Sequence, residues 1–363
     1  MIPISEPWMS EKELEYVTEC VKTNWISSQG KFVVKFEGLF SAFVGTKYGI
    51  ATSNGTTALH LALDIMGVGE GDEVIVPTLS FIATANVVRY CGGRPVFVDS
   101  EEGSWTIDVK KIEEKITEKT KAIIPVHVFG QMADMDAVME IAKKHKLIVI
   151  EDAAEAHGAT YKERMAGSIG DMGCFSFFGN KIVTTGEGGM ITTNSKEYDD
   201  RGKVLRDHGM SKTEKYVHPH LGYNYRMTNL QAAIGVAQME RVDEILQKRD
   251  EHAAQYEKEL VDVPGISFQP KVGWGRRVNW FFNILIEDDF PLSRDEFLEK
   301  MKAEGVDARP CFKPIHLQPI YDLKKGFPVA ERIGERVVNL PCHPTLTEKD
   351  VQFVCEAIKK LAR

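Results

Sequence analysis

The chain has few cysteines, and none of them form a Cys-x-x-Cys pair. The six stand at 20, 91, 174, 311, 342 and 355. That spacing offers neither a zinc ribbon nor a disulfide framework, and it predicts free thiols in a reducing compartment. There is no basic excess either. Lys and Arg total 45 against 53 Asp and Glu, a net charge of −8, so no nucleic-acid footprint is expected. No apolar run approaches the ~20 residues of a membrane helix. The start, Met1-Ile-Pro-Ile-Ser-Glu-Pro-Trp8, lacks a basic region ahead of an apolar one, so no export signal is expected. A cytoplasmic protein that meets neither membrane nor nucleic acid follows as the expectation. Repeats and low-complexity tracts are missing. His218-Pro219-His220 has no paired Cys or acidic ligands beside it. It reads as loop, and no metal is expected.

What is present is an alternation of short apolar runs with amphipathic stretches. Residues 11–23 read as a first helix, with Ser10 as cap and Glu13 at the capping-box position. Strands are expected at 73–76, 95–98, 122–126, 147–150, 173–177 and 190–193. Helices are expected between them at 54–66, 82–90, 109–116, 135–145 and 197–207. This order predicts an α/β protein with a mostly parallel sheet covered on both faces. One long helix is expected over 229–259, ended by Val263-Pro264-Gly265. Beyond it, mixed strands and helices suggest a smaller α+β part. The expected division is a large α/β domain at 1–250 and a small C-terminal domain at 251–363.

Four local patterns carry chemistry. Lys181 lies between the apolar run Cys174–Phe178 and the turn Thr184-Thr-Gly-Glu-Gly-Gly189. It is a solvated charge, a phosphate contact, or an amine that condenses with a carbonyl. Burial lowers an amine's pKa and suits the third job. Asp152 follows Leu147-Ile-Val-Ile150. An acid at the carboxyl end of a buried strand faces the ligand crevice of an open α/β sheet. It can keep the ring nitrogen of pyridoxal phosphate (PLP) protonated, or it can cap a helix. Ser53-Asn-Gly-Thr-Thr57 precedes an apolar helix, whose amino end offers N–H groups to an anion. Thr56, Thr57 and Ser176 are the candidate phosphate contacts; a plain capping turn is the alternative. Phe81, after the strand at 73–76, can stack on a flat ring or fill core.

Five ordered blocks then carry a family resemblance. They are Ser53-Asn-Gly-Thr-Thr-Ala-Leu59, Glu151-Asp-Ala-Ala-Glu-Ala-His157, Phe175-Ser-Phe-Phe-Gly-Asn-Lys181, Thr184-Thr-Gly-Glu-Gly-Gly189 and Gly222-Tyr-Asn-Tyr-Arg226-Met-Thr-Asn229. From Trp25 to Pro341 the chain resembles the DegT/DnrJ/EryC1/StrS sugar aminotransferases. These are fold-type I PLP enzymes that put an amino group on nucleotide-linked keto-sugars. The resemblance implies that Lys181 carries PLP and moves protons, and that Asp152 anchors the ring nitrogen. It implies Glu155 beside the ring hydroxyl, although a glutamate there could also sit on a helix surface. Asn224 would reach the cofactor phosphate of a neighbouring subunit, giving a homodimer with shared sites; a turn asparagine is the local alternative. Gly30, Arg226, Arg309, His316 and Tyr321 would contact the substrate, the last three from an irregular loop over 309–321. The donor would be L-glutamate. Phe177-Phe-Gly-Asn180 and Met190 look most similar to the members that aminate C4 of GDP-4-keto-6-deoxy-D-mannose, giving GDP-perosamine. A UDP-linked 4-keto-sugar is the main alternative acceptor. Two other classes are a sugar dehydratase, whose relatives replace the lysine with histidine, and a non-catalytic PLP-binding regulator.

Overall fold

Seven strands form the large sheet of the computed structural model, which describes residues 1–323 and 326–363. They are β1 (Tyr48–Thr52), β2 (Glu73–Pro77), β3 (Arg94–Val98), β4 (Thr120–Ile123), β5 (Ile148–Asp152), β6 (Met172–Ser176) and β7 (Gly189–Thr193). Their order across the sheet is β1-β7-β6-β5-β4-β2-β3. Only β7 runs against its neighbours, pairing antiparallel with both β1 and β6. The pairs β5–β6, β4–β5, β2–β4 and β2–β3 are parallel. Every residue of β2 and β7 is buried, as a sheet covered on both faces requires. Alternate residues feed opposite cores. Ile75 and Val149 join Phe36, Phe40 and Val236 on one face, whereas Val74, Val76 and Ile150 join Leu59, Leu61 and Val88 on the other.

Most expected elements are present within a residue or two. Ser10 and Glu13 make the capping box of the first helix, Glu11–Lys22. Two expectations change, and one helix is added. Residues 109–116 form two short 3-10 turns, Val109–Lys111 and Glu113–Lys115, closed by i to i+3 bonds. The stretch at 229–259 is two helices, Asn229–Met239 and Val242–Leu260. The break falls at Arg241, whose guanidinium lies 4.1 Å over the Trp8 ring. A helix at Lys31–Val44 was not anticipated; it buries Phe32, Phe36, Phe40 and Val44.

A second sheet of four antiparallel strands follows: Ile266–Phe268, Phe282–Ile286, Val337–Leu340 and Arg309–Pro310, in that spatial order. With helices Arg294–Ala303 and Glu348–Leu361 it closes a separate core around Phe282, Phe297 and Val354. Helix Val242–Leu260 serves both cores. Its first turns bury Ile245 and Leu246 in one, and its later turns bury Tyr256 and Leu260 in the other. All six cysteines are unpaired. Among the described residues no helix is long and apolar enough to cross a membrane.

Candidate active site

The carboxyl ends of β5 and β6 and the start of helix Gly55–Ile65 meet at one edge of the large sheet. A cavity of about 570 Å³ opens there, closed from the C-terminal side by Trp280 and Phe312. Asp152 ends β5, and no helix follows it. The cap reading therefore fails, and the strand-end reading holds. Its carboxylate is buried and specifically held. Thr84 Oγ1 donates to Oδ2 at 2.8 Å, and the Ala154 N–H donates to Oδ1 at 3.3 Å. Thr84 has one proton to give, so its 2.9 Å contact with Ser80 Oγ must be a bond it accepts.

Lys181 leaves β6 through a turn and returns its side chain to the same cavity. Nζ lies 3.7 Å from Glu155 Oε1 and 3.7 Å above the Trp280 ring centre. Burial pushes the amine's pKa down, opposed by the charges of Glu155 and Asp152. Burial likewise raises Asp152, against Thr84, the Ala154 N–H and Lys181. Glu155 is buried at the cavity wall, not on a helix surface. It accepts the Phe129 N–H at 2.7 Å. Burial lifts it to about 7, although Lys181 pulls the other way. Beneath the cavity His157 is held neutral by burial among Phe40, Phe175 and Phe177.

Glu155 carries a stability consequence. An acid whose folded pKa exceeds its unfolded value stabilises fully below the unfolded value, and that contribution is lost as pH rises through the folded one. The window here is 4.5 to about 7. The cofactor-free Glu155→Gln protein should lose less stability across that window than the parent, by up to about 3 kcal/mol. Urea unfolding at several pH values measures it, and parallel slopes would refute it.

The candidate phosphate seat is the amino end of helix Gly55–Ile65. Asn54 caps it: Oδ1 accepts the Thr57 N–H at 2.9 Å. The Thr57 hydroxyl is engaged in return, donating to Asn54 O at 2.8 Å. That leaves the Gly55 and Thr56 N–H groups, which no helix bond can satisfy, beside Ser176 Oγ. A β-carbon on Gly55 would stand 2.7 Å from Ser176 Cβ, so glycine is what lets the helix end close on the serine.

These residues fit PLP. The helix end and Ser176 suit a phosphate dianion, and Phe81 lines the cavity with its ring half exposed. Among the described residues buried Asp152 forms no ion pair, and a protonated ring nitrogen would supply one. The sequence pattern of the DegT/DnrJ/EryC1/StrS aminotransferase family matches residues 7–359. The chain belongs to that family. It is a PLP-dependent sugar aminotransferase of fold type I. It is 47% identical over 367 residues to the GDP-perosamine synthase of Caulobacter vibrioides, covering 99% of this chain and 98% of that one. The enzyme of the same name from Escherichia coli O157:H7 is 43% identical over 360 residues, with the same coverage. A Streptococcus pneumoniae protein solved in its PLP form superposes with a TM-score of 0.94 at 28% identity, covering 99% of this chain and 98% of its own.

The aminotransferase cavity brings together Lys181, Asp152, Glu155, Thr56, Thr57, Ser176 and Phe81. The expected substrate residues lie elsewhere. Gly30 caps helix Lys31–Val44 and packs against Asn229, where a β-carbon would clash at 2.3 Å. His316 is fully buried with both ring nitrogens taken, Nδ1 by Thr78 Oγ1 at 2.6 Å and Nε2 by Glu331 Oε1 at 3.1 Å. Its neighbours make it a brace between loop and sheet. Tyr321 donates to Asn86 Oδ1 at 3.0 Å with its ring against Phe97. Arg309 pairs with Asp307 at 2.9 Å on the exterior. Arg226 is tied to Asp207, and Asn224 is exposed, both off their own chain's cavity lining. Of the 309–321 loop, Phe312 is what reaches the cavity. The sequence reading missed Thr84, Trp280 and the wall of His60, Tyr90 and Tyr225, where His60 Nδ1 meets Tyr225 Oη at 2.9 Å.

Proposed function

We propose that this enzyme moves the amino group of L-glutamate to C4 of a nucleotide-linked 4-keto-6-deoxy sugar. The proposed acceptor is GDP-4-keto-6-deoxy-D-mannose, and the product is GDP-perosamine. The observation that carries the chemistry is one buried amine, Lys181, set against two buried carboxylates in a single cavity. The acceptor rests on relatives named GDP-perosamine synthase at 47% and 43% identity.

Bound PLP supplies an electron sink that acidifies the carbon bearing the nitrogen. The side chains do the rest. The Lys181 amine, whose pKa burial lowers, takes a proton from one carbon and returns it to another. The Asp152 carboxylate would hold a proton on the ring nitrogen. Glu155, poised near neutrality, would share a proton with the ring hydroxyl. The Gly55 and Thr56 N–H groups and Ser176 would hold the phosphate. Phe81, Trp280 and Phe312 wall the cavity from water. Residues 1–250 act on this reading as the cofactor-bearing domain and 251–363 as its cover, in a cytoplasmic enzyme.

The test compares kcat/KM for the GDP-linked and UDP-linked 4-keto-6-deoxy sugars at equal glutamate. A preference for the GDP sugar of about 10²-fold is expected, because a base pocket that pairs polar edges rejects the wrong partner. A UDP sugar that wins would overturn the acceptor and leave the aminotransferase standing.

We also propose a homodimer with shared sites. Asn224 is exposed next to the cavity residue Tyr225, where it could serve the cofactor phosphate of a second copy. Asn224→Ala should weaken cofactor retention. Mixed with Lys181→Ala subunits, it should regain activity, since each mixed dimer rebuilds one intact site. No recovery after verified subunit exchange would place both residues in one site.

A further inference from the structure

Trp280 makes contacts that core filling alone does not explain. Its ring face lies under the Lys181 amine, with Nζ 3.7 Å from the ring centre. Its indole N–H donates at 2.8 Å to the carbonyl of Asn180, the residue next to that lysine. One side chain thus grips both the backbone and the tip of the lysine segment. Its own backbone is held from behind. The Trp280 carbonyl accepts from Arg249 Nη1 at 2.7 Å, and the same nitrogen reaches Cys342 O at 3.0 Å. Arg249 is buried and, among the described residues, has no carboxylate in ion-pair range. A buried guanidinium committed to carbonyls is costly to place, and here it fixes the segment that presents the indole.

We propose that Trp280 is a positioning residue for Lys181: it holds the amine at one point over the indole face whenever that amine is not joined to the cofactor. The proposal rests on the reading of Lys181 as the cofactor-bearing lysine. A cation is attracted to the face of an indole, and more so away from water, whereas a neutral amine gains little. The ring therefore favours the ammonium form and works against burial. The charged and titratable groups facing the amine are Asp152 at the end of β5 and Glu155 and His157 from the turn after it. Glu187 lines the cavity from the turn before β7.

The experiment is competitive acetylation of the full-length, cofactor-free protein with acetic anhydride across pH. Mass spectrometry of the Lys181 peptide gives the midpoint of its reactivity. Trp280→Phe keeps a ring, weakens its face and removes the N–H. Its midpoint should fall by about half a pH unit, a threefold change. Trp280→Met fills the space without a ring and should fall by about one unit, a tenfold change or about 1.4 kcal/mol. The fall should persist in a Glu155→Gln background. A midpoint at or above the parent's in either variant, or a fall that vanishes with Glu155, overturns the proposal. Failure of Lys181 to carry the cofactor would show separately, in the borohydride mapping described below, since acetylation needs no cofactor.

Discussion

Lys181→Ala protein is expected to fold and bind pyridoxamine phosphate, yet turn over at about 10⁻⁴ of the parent rate or less, the scale of a lost acid–base group compounded by lost attachment. The fold should survive because the side chain meets Glu155 at 3.7 Å and the Trp280 face. Neither crosses the sheet. Removing the amine leaves Glu155 without its cation, and that carboxyl can simply stay protonated, being already poised at about 7. Nothing else at the edge replaces the base. Asp152 is bound to Thr84 and Ala154, and His157 is held neutral below the cavity. Borohydride reduction of the parent with PLP, followed by peptide mapping, should label Lys181. Labelling of another lysine, or a variant retaining a hundredth of parental activity, would end the assignment.

Asp152→Asn should keep the fold and lose on the order of 10³-fold in turnover, the scale on which removing one preorganised charged partner weakens a transition state. The amide has the same shape. Its oxygen can still accept from Thr84, as Asp152 Oδ2 does at 2.8 Å. The other end becomes an NH₂ group, which donates where the ring nitrogen also needs to donate. The ring then loses its proton and most of its power to draw electrons. Steady-state amine formation, with near-ultraviolet circular dichroism as the check on folding, measures the loss. Turnover near the parent's would mean that Asp152 serves only Thr84 and the Ala154 N–H.

The chemistry of the site was legible where it is written contiguously. Lys181, Asp152 and the Asn54–Thr57 cap each stand inside a run whose neighbours disclose a strand end or a helix start, whereas Glu155 was expected only from the family resemblance. Thr84 and Trp280 were not legible. Thr84 meets Asp152 from 68 residues away, and a lone hydroxyl or indole has no spacing to betray it. His316 shows the converse. Its residue type suits a ligand, but Thr78, 238 residues distant, and Glu331 decide where its nitrogens point. The same holds for the helices. Residues 229–259 are helical in pattern throughout, and at the break Arg241 lies over Trp8 from the other end of the chain. Helix Lys31–Val44 did have its signal, in the spacing of Phe32, Phe36 and Phe40.

The place of β7 governs when this protein can be assembled. It sits between β1 and β6, so Thr52 finds its partner in Gly189. A ribosome adding about 5–20 residues per second needs on the order of 10 s to bridge that separation. Throughout that time β1 has no strand beside it, and the phosphate seat that follows it has no Ser176 to close on. The nascent chain thus carries an unpaired edge during most of the synthesis of its sheet, and the last strand to pair there is the one that completes the turn bearing Lys181.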